Sequence, residues 1–333
     1  MIEILNPGPL GSVQDLGRNG YRSIGVGCAG VMDAHSARIV NLMLGNPENA
    51  AVVEFTYGDF DVLAREDVTI AVGGADAPRS IDDEAIPRWW SQTLKKGQHL
   101  RCAFSETGMR VYLALAGGID VPEILGSRAT DVKAGFGGLD GRMLQAGDRL
   151  KPVSRSSAFR FSPYALDYAT FPELFDCPCD AQVLRFIPAA EWDDLDEANR
   201  SRFTSTHWTV SYDSNRVGAR LEGPELVPSV RRELLSHGIL PGTIQLPPSG
   251  LPLIQMREAN TCGGYPKLGT LIDVDFARAT QVPLGENVRF ELCTLDEARA
   301  ARMAAEERLT ALARFCKISR SELPFHDHEA FGS

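Results

Sequence analysis

The run Gly242-Thr-Ile-Gln-Leu-Pro-Pro-Ser-Gly-Leu-Pro-Leu-Ile-Gln-Met-Arg-Glu-Ala-Asn-Thr-Cys-Gly-Gly-Tyr-Pro-Lys267 decides how this chain folds. Two short apolar runs, Thr243 to Leu246 and Leu253 to Met256, have strand length, and the Pro-Pro-Ser-Gly between them is turn chemistry. A polar loop follows, Arg257 to Lys267, carrying Glu258, Asn260, Thr261, Cys262 and Tyr265. Polar groups on a loop held by rigid strands suit a binding site. A plain surface hairpin closed by Gly263-Gly264 is the alternative.

Working outward, the same style recurs along the chain. Strand-like runs occur at residues 2 to 5, Ala51 to Tyr57, Phe60 to Leu63, Val68 to Val72, Gln98 to Phe104, Arg110 to Ala116, Val183 to Pro188 and Leu271 to Phe276. They are β-branched and aromatic and are separated by glycine turns. Met32 to Leu44 reads as a helix, with Asp33 at the N-cap position and Gly45 at the C-terminal cap. Leu295 to Phe315 reads as an amphipathic helix that packs on a barrel. Many short strands with few helices indicate a mainly β fold, a barrel or sandwich rather than a doubly wound sheet. Strand into proline turn at Ile2 to Pro9 is echoed at Val183 to Pro188, so two similar β-domains in tandem are expected. The expected boundaries are 1–150 for the first, 151–182 for a connector, 183–295 for the second, and 296–333 for the terminal helix and polar tail.

With 333 residues the chain holds about two domains of ordinary size. Lys+Arg 34 against Asp+Glu 44 gives a formal charge of -10, with the signs interspersed, which argues against nucleic-acid binding. No apolar run has the roughly 20 residues of a membrane helix, and a cytoplasmic protein is expected. Seven cysteines do not make a disulfide framework in a chain this long. Cys177-Pro-Cys179 lacks metal-motif spacing, and His326-Asp-His328 in the tail is not read as a metal site, so no metal ligands are expected.

Several polar positions are ambiguous. Ser12 to Arg18 is either a solvated turn with an Asp15-Arg18 pair or a polar cluster at a pocket rim. Glu54, inside an apolar strand, either faces solvent on the alternating side, which base rates favour, or is a deliberately placed buried acid. Arg216 and Arg220 bracket Gly218 and could clamp a carboxylate or phosphate, or pair structurally with Asp213 or Glu222. The sequence has no Gly-x-Ser-x-Gly elbow, His-Glu-x-x-His helix, Walker loop, Rossmann fingerprint or biotinyl-lysine motif. The polar residues on glycine turns suit recognition of a small amide or carboxylate and general acid-base work.

Together, Pro7-Gly-Pro9, Val13-Gln-Asp-Leu-Gly-Arg18, Gly30-Val-Met-Asp33, Asn41 with Gly45-Asn-Pro47, Gly117-Gly-Ile-Asp120, Gly126-Ser-Arg128, Arg216 with Gly218-Ala-Arg-Leu-Glu-Gly223, and Gly242 to Gly250 with Gly263-Gly-Tyr-Pro-Lys267 resemble the biotin-dependent carboxyltransferase family. That family includes KipA-type C subunits of 5-oxoprolinases and the matching half of the urea carboxylase carboxyltransferase domain. The resemblance runs from about residue 2 to 292. It implies two tandem cyclophilin-like β-barrels with a few helices.

It further implies work in a complex with two partners, a B subunit of the KipI type and an A subunit of the lactam-utilisation type. The implied reaction is ATP-dependent opening of 5-oxoproline, or a related lactam or amide, to glutamate. ATP, with magnesium, would be used at the level of the complex, and nothing would be covalently attached. One alternative is carboxyl transfer from carboxybiotin to urea or a related amide. Another is a regulatory protein antagonising a KipI-type kinase inhibitor. The residues nominated as catalytic are Glu258, Thr261, Tyr265 and Lys267. Those nominated to bind substrate are Gln14, Asp15, Arg18, Asp33, Asn41, Arg128, Arg216, Arg220, Gln245, Gly263, Gly264 and Gln281. The family usually reads Ala-Asp-Arg-Gln-Thr-Thr before Gly-Gly-Tyr-Pro, where this chain has Arg257-Glu-Ala-Asn-Thr-Cys262. Such changes at a small-molecule site alter substrate choice.

Overall fold

A computed structural model describes residues 1–154, 163–174, 182–228 and 234–321. Cys177-Pro-Cys179 and His326-Asp-His328 lie outside the described residues. The chain folds as two β-domains. The strands of the first form two six-stranded antiparallel sheets. One runs Arg149–Leu150, Ile2–Asn6, Gly58–Ala64, His99–Phe104, Arg79–Ile81, Glu84–Ala85 in spatial order; the other runs Tyr164–Ala165, Trp90–Leu94, Val68–Gly74, Arg110–Leu115, Val52–Thr56, Leu10–Gln14. Their facing side chains share one core, with Ile4, Val62 and Leu100 from the first sheet against Val53, Phe55, Val72 and Leu113 from the second.

The outer face of the second sheet is also buried. Helix α1, Ala34–Leu44, and the long helix Leu295–Ser321 cover it, placing Ile39, Val40, Met43, Leu309 and Leu312 against Val52, Ala71, Tyr112 and Ala114. This double burial explains why Val68–Gly74 and Arg110–Leu115 read as unbroken apolar runs rather than alternating ones. Helix α1 starts and stops where its caps dictate: Asp33 accepts from the amides of His35 and Ser36, and Gly45 takes a left-handed φ of 72°.

The second domain is a closed seven-stranded barrel in the order Gln182–Pro188, Lys267–Leu271, Thr243–Gln245, Leu253–Gln255, Gly218–Glu222, Trp208–Val210, Asn287–Leu292. The Gln245-to-Leu253 hairpin read from sequence is present, with Ile244 opposite Ile254. The barrel closes where Gln182–Pro188 runs parallel to Asn287–Leu292. Aromatic rings fill it, with Phe203 stacked on Phe290 at 4.5 Å between centroids.

Four expectations change. Leu271 to Phe276 is not a strand: the strand ends at Leu271 and helix α2, Glu197–Ser205, is followed by a third helix, α3, at Asp273–Ala279. Asp273 and Asp275 in its first turn suit the helix dipole. Asp275, fully buried, then receives Arg185 at 2.7 and 2.9 Å. The terminal helix, α4, packs on α1 and also reaches α3 beside the barrel, with Arg38 forked onto Glu306 at 2.7 Å on both nitrogens and Arg302 paired with Asp273. Within the connector, Tyr164–Ala165 adds an edge strand to the first domain, and Leu166 and Leu174 join its helical side. The echo between the halves is of sequence style, because Ile2–Asn6 pairs with Arg149–Leu150 antiparallel whereas its counterpart closes the barrel in parallel. Among the described residues no helix is long and apolar enough to cross a membrane.

Candidate functional site between the domains

Arg216 stands at the entry to the barrel strand Gly218–Glu222, after a turn in which Asn215 accepts from the amide of Val217 at 2.8 Å. Its side chain crosses to the first domain. Nε donates to Glu258 at 2.6 Å, Nη1 to Glu54, and Nη2 to the carbonyl of Gly30 at 2.6 Å. All three side chains are buried. Burial works against the charge of Arg216, but Glu54 and Glu258 outweigh it and hold the pKa above the ordinary arginine value.

Of the two readings of Glu54, the favoured solvent-facing one fails and the buried acid is what the structure contains. Its second oxygen accepts from the Met32 amide at 2.6 Å and the Tyr112 hydroxyl at 2.8 Å. Tyr112 lies directly across the sheet from Glu54 and in turn accepts from the Asp33 amide at 2.8 Å. Burial, then the charges of Glu54 and Asp33, push its phenol well above the usual tyrosine range. Nor does Arg216 pair with Asp213 or Glu222.

Gly30 is the hinge of this network. Its φ is 91°, and a Cβ there would stand 2.7 Å from the Cα of Gly17, so only glycine fits. Its amide donates to Gln14 at 3.1 Å while its carbonyl receives Arg216, so one peptide joins the first domain's interior to the barrel. Gln281 makes a second crossing. Its Nε2 donates to Asp33 at 2.9 Å, and its Oε1 accepts from the amides of Met109 and Arg110 at 3.1 and 2.8 Å. Asp33 and Gln281 line a wide cleft that also includes Cys28, Arg257, Thr270 and Phe276. Arg257 lies over the Phe276 ring at 5.3 Å, and its Nε has no partner among the described residues. Burial lowers its pKa.

The other nominated residues occupy three places. Asp15 and Arg18 are buried in the first domain and do not pair. Asp15 accepts from the Ser127 hydroxyl at 2.7 Å and the Arg128 amide at 2.6 Å, while Arg18 donates to the carbonyls of Ile124 and Ala129. Of the two readings of Ser12 to Arg18, the solvated turn with an Asp15-Arg18 pair is not formed: the strand Leu10–Gln14 leads into a buried brace. Arg128 reaches the carbonyl of Val121. Asn41, fully buried, ties the end of α1 to the carbonyl of Ala50 at 2.8 Å.

On the barrel, Gln245 accepts from Gln255 at 2.6 Å under the loop, and Arg220 is exposed. Past Glu258 the loop turns outward. Gly263 pairs with His237, Gly264 and Thr261 are half-buried, and Tyr265 is 46% exposed. The backbone amide of Lys267 points to Glu191 at 3.4 Å, and burial lowers the pKa of its ammonium. The four residues nominated as catalytic therefore divide, with Glu258 inside the interface and Thr261, Tyr265 and Lys267 on the accessible part of the loop. Exposed contacts bridge the domains near it: Arg22 donates to the carbonyls of Ile239 and Asn260. Lys133 reaches the Asn260 side chain at 2.5 Å.

Sequence reading nominated none of Glu54, Gly30, Tyr112, Arg110 and Arg257 as site residues. A signal existed for Glu54: an acid among β-branched residues in a strand whose neighbours are apolar on both faces has no wet side to occupy. No group of three or more His, Cys, Asp or Glu suited to a metal occurs among the described residues.

Comparison with known proteins places the chain as a whole. The chain is 38% identical to the C subunit of 5-oxoprolinase from Escherichia coli over 94% of its own length and 98% of that protein. It is 35% identical to the protein of the same name from Haemophilus influenzae, over 94% and 98%. The crystal structure of Kluyveromyces lactis urea carboxylase superposes with a TM-score of 0.85 at 28% identity, covering 93% of this chain and 29% of that one. Residues 24–292 match the family described as carboxyltransferase domain, subdomain A and B, and the chain belongs to that family.

Proposed function

We propose that the chain is the C subunit of an ATP-dependent 5-oxoprolinase-type amidohydrolase, acting with a KipI-type B subunit plus a lactam-utilisation-type A subunit. Near end-to-end likeness to two 5-oxoprolinase C subunits carries this reading. A lactam carbonyl resists water, and coupling to ATP activates it. Nucleotide, with its magnesium, would be held by the complex rather than by a Walker loop of this chain.

Within this reading, Glu258 is a positioning residue. Its carboxylate is committed to Arg216, and its amide donates to the Arg216 carbonyl at 2.9 Å, so it fixes the start of the loop. Thr261, Tyr265 and Lys267 then present a hydroxyl, a phenol and an ammonium toward substrate or partner, and Asp33, Arg257 and Gln281 line the adjoining cleft. In the reconstituted complex of all three proteins, Glu258→Ala should reduce ATP-coupled opening of 5-oxoproline at least about 100-fold, the scale of a misplaced site. Glu258→Gln, which keeps the shape, should retain more activity. Full turnover by Glu258→Ala would remove the loop from the mechanism.

The likeness to urea carboxylase supports a second reading, carboxyl transfer from carboxybiotin to a small amide. It requires turnover that depends on bicarbonate when a biotin carboxylase partner is supplied. Turnover of 5-oxoproline without bicarbonate would exclude it.

A further inference from the structure

The interface contains a second buried arginine with a different fate. Arg110 begins the strand Arg110–Leu115, and only 5% of its surface is exposed. Neither its Nε nor its Nη1 has a hydrogen-bond partner, and it forms no ion pair among the described residues. The acids that could neutralise it are engaged elsewhere. Glu54 is held by Arg216, Tyr112 and the Met32 amide, and Asp33 is held by the start of α1 and by Gln281.

Arg110 lines a small cavity between the domains, walled by Met32, Met109, Met256 and Val282. The polar groups at its edge are also spoken for: the Thr280 hydroxyl donates to Ala277, and that of Ser214 to Arg220. Asn215, which is exposed, forms the mouth, so the cavity communicates with solvent. Its volume is about 30 Å³. A single water needs roughly 10–15 Å³ on such a measure, so a body of three or four heavy atoms fits and a nucleotide or sugar does not. A buried guanidinium with free donors in apolar walls is unfavourable unless a charge of opposite sign joins it.

We propose that this cavity binds a small monovalent oxyanion of formate-to-bicarbonate size, held by Arg110 at the junction of the two domains. The proposal does not depend on the reaction assigned above. Arg110 supplies charge-assisted donors, the methionine walls exclude larger anions, and occupancy fastens the barrel to the first domain.

The test uses the full chain at constant ionic strength. Sodium formate and sodium bicarbonate are titrated calorimetrically in separate arms, with sulfate as an oversize control. Saturable one-site binding is expected for at least one of the first two and none for sulfate; the tighter arm identifies a carboxylate or bicarbonate ligand. Arg110→Met should weaken that binding by about tenfold or more, the effect of removing a charged hydrogen bond. Crystals of the unsubstituted protein soaked in bromide give a readout that needs no variant. An anomalous peak within ~4 Å of the Arg110 guanidinium is expected. No saturable binding in either arm, equal affinity in Arg110→Met, or bromide only at other sites would overturn the proposal.

Discussion

Arg216 and Arg110 sit in the same interface, are equally inaccessible, and are used in opposite ways. Arg216 spends its nitrogens on two carboxylates and a carbonyl, two of them from the other domain. Arg110 receives no acceptor for two of its nitrogens among the described residues. Burial acts first on both; the adjacent glutamates lift the pKa of Arg216, whereas Arg110, farther from them, is left lowered. The difference separates a strut from a receptor. A guanidinium saturated by protein groups holds domains together, and one left unsaturated beside a cavity is free to take a ligand.

The contrast breaks most visibly at Arg216. Arg216→Met leaves Glu54 and Glu258 as buried carboxylates without their cation, and removing one partner of such a cluster costs about 3–5 kcal/mol. Urea unfolding should show a loss of that size, and adding Glu54→Gln to the same chain should recover part of it, because one stranded charge is gone. Equal stability of Arg216→Met and the parent would mean the cluster is no strut.

Arg110→Met sharpens the other side. In buffer free of small carboxylates it deletes a desolvated charge and fills similar volume with apolar atoms. The expected change is under about 1 kcal/mol, with stabilisation as acceptable as loss. The measurement is the urea midpoint at unchanged m-value. A loss as large as that of Arg216→Met would show that Arg110 has a protein partner in solution and is a strut as well.

How much of this was legible in the sequence follows the same division. The caps of α1 at Asp33 and Gly45, the hairpin from Thr243 to Gln255, and most strands could be read because local chemistry specifies them. Asp273–Ala279 was misread because the sequence has too few residues there to separate a helical period from a strand. What stabilises it is Arg185, 90 residues away. The site suffered more from the same cause. Arg216 was visible as a clamp, but its partners lie 162 and 42 residues distant, and no spacing rule reaches them. Gln14 stood out as polar, yet its role depends on Gly30 being threaded against Gly17. Arg110 gave no signal, since a strand-initial arginine is ordinary until the barrel closes over it.

The smallest expected effect concerns a carboxylate outside the interface, and it shows how far location rather than charge sets importance. Glu3, on the strand Ile2–Asn6, is forked by Arg65 at 2.9 Å on both oxygens and approached by Arg149 at 2.9 Å. Hydrogen bonds from Arg65, then from Arg149, offset desolvation and lower its pKa to about 2. The folded value lies below the unfolded one, so the contribution is fully present above the ordinary glutamate range and is lost as pH falls toward about 2. The urea midpoint of the parent should therefore drop more steeply than that of Glu3→Gln between roughly pH 5 and 2. The two curves should converge at the acid end. Because solvent reaches this cluster, the gap at neutral pH should also shrink in high salt, whereas the Arg216 effect should not. Parallel curves across that acid range would show that the arginines do not hold Glu3 ionised, and salt sensitivity at Arg216 would show that water enters the interface.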